Sequence, residues 1–214
     1  MDDTFASLGL TTRCVSTVDL DGRPARRVVM TRSYPTGVED LWDALTNPDR
    51  IPRWFLPVTG ELRLGGSYQL EGNAGGAVEE CEPPRRFRVT WVMGEAPTWL
   101  TVTLTAQGPQ TVLELEHVGH VPEELWAQFG PSATGIGWDM TLLALTTHVT
   151  TRADKNPARD AAWMPSPAGL AFIQASADAW RDADLSTGTA SDEATARAAR
   201  TIAIYTGQAE PPQP

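Results

Sequence analysis

A chain of 214 residues, 41% hydrophobic and 21% charged, has the length and composition of one soluble domain with a sizeable core. Its 27 acidic and 17 basic residues leave a formal charge of −10, which repels phosphate backbones and anionic lipid, so neither nucleic acid nor a membrane is an expected partner. No stretch reaches the ~18 apolar residues of a membrane span, the start Met1-Asp2-Asp3-Thr4-Phe5 lacks the basic and apolar regions of a signal peptide, and two isolated cysteines, Cys14 and Cys81, read as reduced thiols of a cytoplasmic protein.

Residues 1–10 read as a flexible N-terminus. Asp21-Gly22 between two extended runs is a hairpin signal and predicts strands over 11–19 and 25–34. From Val38 the period changes. Val38, Leu41, Trp42 and Leu45 fall on one helical stripe, with Glu39 and Asp40 in the first turn and Asn47-Pro48 as the stop. A helical turn over 51–55 is predicted next, followed by short strands at 58–64, 67–72, 76–82, 86–93, 98–106 and 111–118, each bounded by Gly or Pro. Such close spacing implies an antiparallel meander, since parallel strands need helical crossovers.

Alternation gives the meander one apolar face: Phe87, Val89, Trp91 and Met93, then Leu100, Val102 and Leu104, then Leu113, Leu115 and His117. That face needs a cover. Residues 132–153 supply the predicted one, a long helix with Trp138, Leu142, Leu145 and Val149 on a stripe and Ser132 or Thr134 as N-cap. A short helix or lid at 122–129 precedes it. Beyond Pro157 the composition shifts toward Ala, Asp and Thr. Helices predicted at 167–184 and 193–205 hold too few large apolar residues for a core of their own, so residues 157–209 are expected to pack on the main domain or on a second subunit, as in a homodimer. The Pro-rich tail, 210–214, reads as disordered.

The order strand, short helix, meander, long helix belongs to the α+β helix-grip fold, a curved antiparallel sheet wrapped around a C-terminal helix. Local motifs also resemble the SRPBCC, or START-like, superfamily, in the branch named after the activator of heat-shock protein 90 ATPase. They are Val38 to Pro48, Arg53-Trp54-Phe55-Leu56-Pro57, Leu62 to Gly66, Glu82 to Phe87 with Thr90-Trp91, Leu113 to His117, and Gly137-Trp138. The resemblance spans roughly 27–152, within a domain taken as 11–156, and implies an apolar cavity between sheet and helix. The co-chaperone's separate N-terminal domain, which engages its client ATPase, has no counterpart in residues 1–25, so the family name is not read as the function.

In this family the Trp54-Phe55 segment sits near the cavity mouth, and the resemblance makes Tyr68, Trp91, Leu113, Leu115, Phe129, Trp138 and Leu142 the other wall candidates. His117, on the concave face by strand parity, either orients a ligand or moves a proton, or is a core histidine satisfied by its neighbours. Glu79 shares parity with Cys81. Either the register flips near Gly75-Gly76, or Glu79 enters the cavity and pairs with His117 as acid and base. The leading expectation is binding of a small apolar or amphipathic molecule. The alternatives are a polyketide cyclase or dehydratase using His117 and Glu79, and an interaction module built on the C-terminal helices. No phosphate loop, nucleophile elbow or metal spacing is present, so no cofactor and no metal are expected.

Overall fold

The computed structural model describes residues 8–94 and 96–210. Of the N-terminal stretch only residues 8–10 are therefore described, and the tail after Glu210 lies outside the described residues.

Asp21 and Gly22 both take positive φ, 53° and 75°, the backbone of the tight turn whose twist matches paired strands. They join β1 (Thr11–Leu20) to β2 (Arg23–Tyr34). Next come α1 (Val38–Thr46) and a 3-10 turn at Ile51–Arg53. The meander follows as β3 (Val58–Gly60), β4 (Ser67–Leu70), β5 (Gly75–Glu82), β6 (Arg86–Val92), β7 (Pro97–Gln107) and β8 (Gln110–Gly119). All pairings are antiparallel and the order is β1-β2-β8-β7-β6-β5-β4-β3. The last strand of the meander returns to β2, with Met30 opposite Leu115 and Val28 opposite His117. Two meander predictions are corrected at their ends. The strand expected over 58–64 stops at Gly60, and Met93 falls past the end of β6 and is exposed.

One face of the sheet is apolar and the other carries ion pairs, among them Arg86–Glu80 and Arg27–Glu116. The apolar face closes on α3 (Ser132–Thr151), which follows α2 (Glu123–Phe129). The fold is helix-grip, an α+β architecture with eight strands among the described residues. Pro131, not Ser132 or Thr134, occupies the N-cap of α3 without a side-chain cap, because Ser132 is already buried inside the helix.

Helix α3 is apolar on both sides because both are covered. Trp138, Leu142, Leu145 and Val149 join the main core with the sheet, while Ile136 packs with Ile173, Ala177 and Ala198 of the C-terminal helices. Those helices are α4 (Pro157–Trp163), α5 (Pro167–Leu185) and α6 (Ser191–Tyr205). Helix α4 is an addition to the sequence-based elements, since its seven residues carry no apolar stripe.

The C-terminal helices pack on the domain itself. Trp180 of α5 is fully buried and belongs to the main core. It lies over Gly135 of α3, where a Cβ would come within 2.1 Å of Trp180 Cε2, so only glycine allows this approach. Beside it, buried Asp139 accepts from Trp180 Nε1 at 2.9 Å, from Ser176 Oγ at 2.5 Å and from Arg13 Nη2 at 2.6 Å. One carboxylate thus ties β1, α3 and α5 together. Asp184 and Arg197, both buried, pair at 3.0 Å and link α5 to α6.

Candidate functional site

Between the concave face and α3 lies a cavity of about 270 Å³. The 3-10 turn brings Trp54 and Phe55 to it, the strands bring Tyr68, Trp91, Leu113 and Leu115, and α3 brings Trp138 and Leu142. Eight of the ten wall candidates therefore line one space.

Two of its polar groups are already committed. The Trp54 indole N–H donates to Ala44 O at 2.9 Å and the Tyr68 hydroxyl to Thr90 O at 2.8 Å. Burial pushes the Tyr68 phenol above its ordinary range. What remains on the wall is apolar side-chain surface, the half-buried, free Cys81 thiol, and the indoles of Trp42 and Trp91, whose N–H groups have no acceptor among the described residues.

Phe129 and His117 are placed differently from expectation. Phe129 is half-buried at the end of α2 and does not line the cavity; the phase of that short helix turns Trp126 into the core instead. His117 lies behind Trp138, on the wall of an adjoining outer pocket of about 380 Å³ that also receives Asn73, Thr98, Thr134 and Tyr205. Phe55, Trp91, Trp138 and Thr141 line both spaces and form the partition between them.

The bonds of His117 fix its tautomer. Trp138 Nε1–H donates to Nδ1 at 3.0 Å, so Nε2 carries the proton and gives it to Thr98 Oγ1 at 2.7 Å, which in turn donates to Trp91 O at 2.9 Å. Burial lowers the imidazole pKa to about 4, so the ring is neutral at pH 7. Both nitrogens are occupied, the geometry of a satisfied core histidine.

Glu79 does not meet it. A bulge between Val78 and Glu80 inserts one extra residue into β5. Val78 and Cys81 can then both face the cavity, three residues apart, while Glu79 turns outward to pair with Arg88 at 3.4 Å. The register does flip, but at Glu79 and not at Gly75-Gly76. The acid–base pair expected from parity is not assembled.

Sequence reasoning missed a third space of about 410 Å³, between α3, α4 and the 153–156 loop. Its floor includes Leu143, Trp163 and Met164, and its rim carries Arg53, Asp154 and Lys155, the chain's one lysine. Lys155 donates through Nζ to Phe55 O, and Arg53 pairs with Asp154 at 2.6 Å. The unpredicted α4 forms one wall, and nothing in the composition announced it. Among the described residues no group of three or more His, Cys, Asp or Glu is placed to hold a metal ion, and no helix is long and apolar enough to cross a membrane.

Residues 35–150, just over half of the chain, match the sequence profile of the Activator of Hsp90 ATPase homolog 1-like proteins. Among solved structures, the chain is similar to CalU16 from Micromonospora echinospora. Its crystal structure shares 30% identity over 81% of this chain and 97% of that one, with a TM-score of 0.65; its solution structure gives 31%, 84%, 97% and 0.70. EF2215 from Enterococcus faecalis, a conserved protein of unknown function, is 18% identical over 87% of this chain and 97% of that one, with a TM-score of 0.59, a likeness of fold alone. No curated protein matches the chain.

Proposed function

The chain belongs to the Activator of Hsp90 ATPase homolog 1-like family, and on that premise we propose that it binds a small apolar or amphipathic molecule between its sheet and α3. The observation that carries this reading is the cavity of about 270 Å³ whose wall N–H and O–H groups at Trp54, Tyr68 and Trp138 are all spent on protein acceptors. A wall of this kind recognises shape and apolar area. Its volume is nearly twice the ~150 Å³ of an apolar cavity that holds benzene, so a two-ring aromatic is the natural size. Side chains around an empty apolar space lack contacts on one side, and an occupant supplies them. In this reading the protein works in the cytoplasm with Cys14 and Cys81 reduced.

Native mass spectrometry of freshly purified protein tests it, followed by denaturing extraction of anything bound. The expected result is a low-mass apolar compound that Trp91→Ala no longer retains. A bare chain mass, together with no rise in Tm from a panel of small aromatics, contradicts the reading, because any ligand of the folded state stabilises it by mass action.

A further inference from the structure

We propose that the inner cavity and the outer pocket are two compartments of one site, joined when the Trp91 side chain swings aside, and that this site takes a neutral amphiphile. An apolar ring system fills the inner compartment and a hydroxyl- or amide-bearing head occupies the outer one. The inference rests on the binding reading above and names its ligand class.

The partition is asymmetric. Trp138 is a fixed post: it is buried, and its indole N–H is held by His117, which Thr98 holds in turn. Trp91 is half-buried, and among the described residues its indole N–H has no acceptor. Its backbone is anchored, since Trp91 O accepts from Thr98, so only the ring is free to move. Beyond it the strand ends in exposed Val92 and Met93 and in Gly94 at φ 113°. Rotation parts the ring from Trp138, at 5.1 Å between ring centres, and from His117, at 6.4 Å. Beyond the area they bury, such ring pairs contribute only about 0.5–1.5 kcal/mol each, and with its N–H unheld Trp91 is the moving leaf.

The two compartments differ in chemistry. The inner one offers no free donor at Trp54 or Tyr68. The outer one adds polar side chains to an apolar wall, and among the described residues no Asp, Glu, Lys or Arg lines it. His117 is neutral, and burial raises the Tyr205 phenol, so neither supplies charge. A carboxylate or ammonium drawn from water into such surroundings is left without a counter-charge. Asn73 Nδ2 and Thr134 Oγ1, which have no protein partner among the described residues, are the groups a neutral head would meet. Tyr205 gives the C-terminal helices a part in the site. Its hydroxyl, bonded to Ala133 O, lies 3.2 Å from where a Gly137 Cβ would stand, so glycine keeps this side of the pocket clear.

Calorimetric titration with three probes sharing one ring system tests the inference: naphthalene, a naphthyl glyceryl ether with a neutral diol head, and naphthoxyacetate with a carboxylate head. The ether is expected to bind about tenfold more tightly than both naphthalene and naphthoxyacetate. Thr134→Trp, on an exposed helical position, is expected to erase the ether's advantage and leave naphthalene within about twofold of its original Kd. Asn73→Ala is expected to weaken the ether alone. In stopped-flow mixing, Trp91→Ala is expected to speed ether association about tenfold.

If naphthoxyacetate binds best, if the ether has no advantage, if Thr134→Trp weakens both probes alike, or if Trp91→Ala leaves the association rate unchanged, the two-compartment site is overturned while naphthalene binding stands. If naphthalene itself fails to bind, the cavity reading fails and this inference falls with it.

Discussion

His117 shows how one side chain's surroundings decide its role. Its pKa falls to about 4 because burial penalises the charged form. Between pH 6.5 and about 4 the unfolded chain therefore takes up a proton that the folded chain refuses. Stability is full above the unfolded value and is lost as pH falls through this window. The shift corresponds to about 3 kcal/mol, and solvent at this half-buried ring reduces it to roughly 1–3 kcal/mol. Urea titrations at about pH 7 and about pH 4.5 are expected to show that loss. His117→Gln, which keeps an acceptor for Trp138, is expected to flatten it. Asp40 acts lower on the scale. There burial is outweighed by hydrogen bonds from Arg152, Thr36 and Arg50, which hold its carboxyl below the usual range.

Asp139 makes the complementary case, a buried charge fully met by its partners. Asp139→Ala strands the Arg13 guanidinium, whose side chain is as buried as that of Asp139. Unfolding in urea is expected to show a loss of about 3–5 kcal/mol. Gly135→Ala, which puts a methyl 2.1 Å from Trp180 Cε2, is expected to cost about 1–3 kcal/mol through the displaced indole.

Among the elements, those with a strong period were legible and those set by tertiary contact were not. Helix α1 announced itself through Val38, Leu41, Trp42 and Leu45, and strands β6 to β8 through alternation. The bulge in β5 carried no such signal. Glu79 and Cys81 keep strand parity in the sequence, and only pairing with β6 reveals the inserted residue that sends Glu79 outward. Helix α4 was equally silent, and so was the local phase that buries Trp126 and leaves Phe129 beside the core. Eight wall residues were legible because inward parity and the family motifs agree. His117 had the correct parity, and between the duties the sequence left open its partners on β7 and α3 make it a satisfied core histidine.

The C-terminal helices carry a consequence for truncation. Their sequence left open whether they pack on the main domain or on a second subunit. Trp180 and Ala183 complete the main core, and Ser176 helps satisfy Asp139. Deleting residues 157–214 removes a fully buried Trp, whose loss alone costs about 3–5 kcal/mol. That is a large share of a typical domain's stability. The shortened chain is expected to lose its cooperative thermal transition, and a sharp transition near the full-length Tm would show the helices to be dispensable.

At the scale of the molecule, a sheet wraps a helix that is apolar on both sides, and an aromatic-walled space lies between that helix and the sheet. The pocket with the charged rim near Lys155 and the sheet–helix cavity, which no charged side chain lines among the described residues, share Trp54 but differ in chemistry, and a small apolar molecule is expected in the second. The tryptophans report on both, since Trp42, Trp91 and Trp138 line the cavity, Trp163 lines the charged-rim pocket and Trp54 stands between the two. A heteronuclear NMR titration of their indole N–H signals with naphthalene is the most direct measurement. Saturable shifts at Trp42, Trp91 and Trp138, with Trp99 and Trp163 unmoved, are the expected result. Signals that stay still throughout, or shifts centred on Trp163, would contradict the claim that the sheet–helix cavity is the binding site.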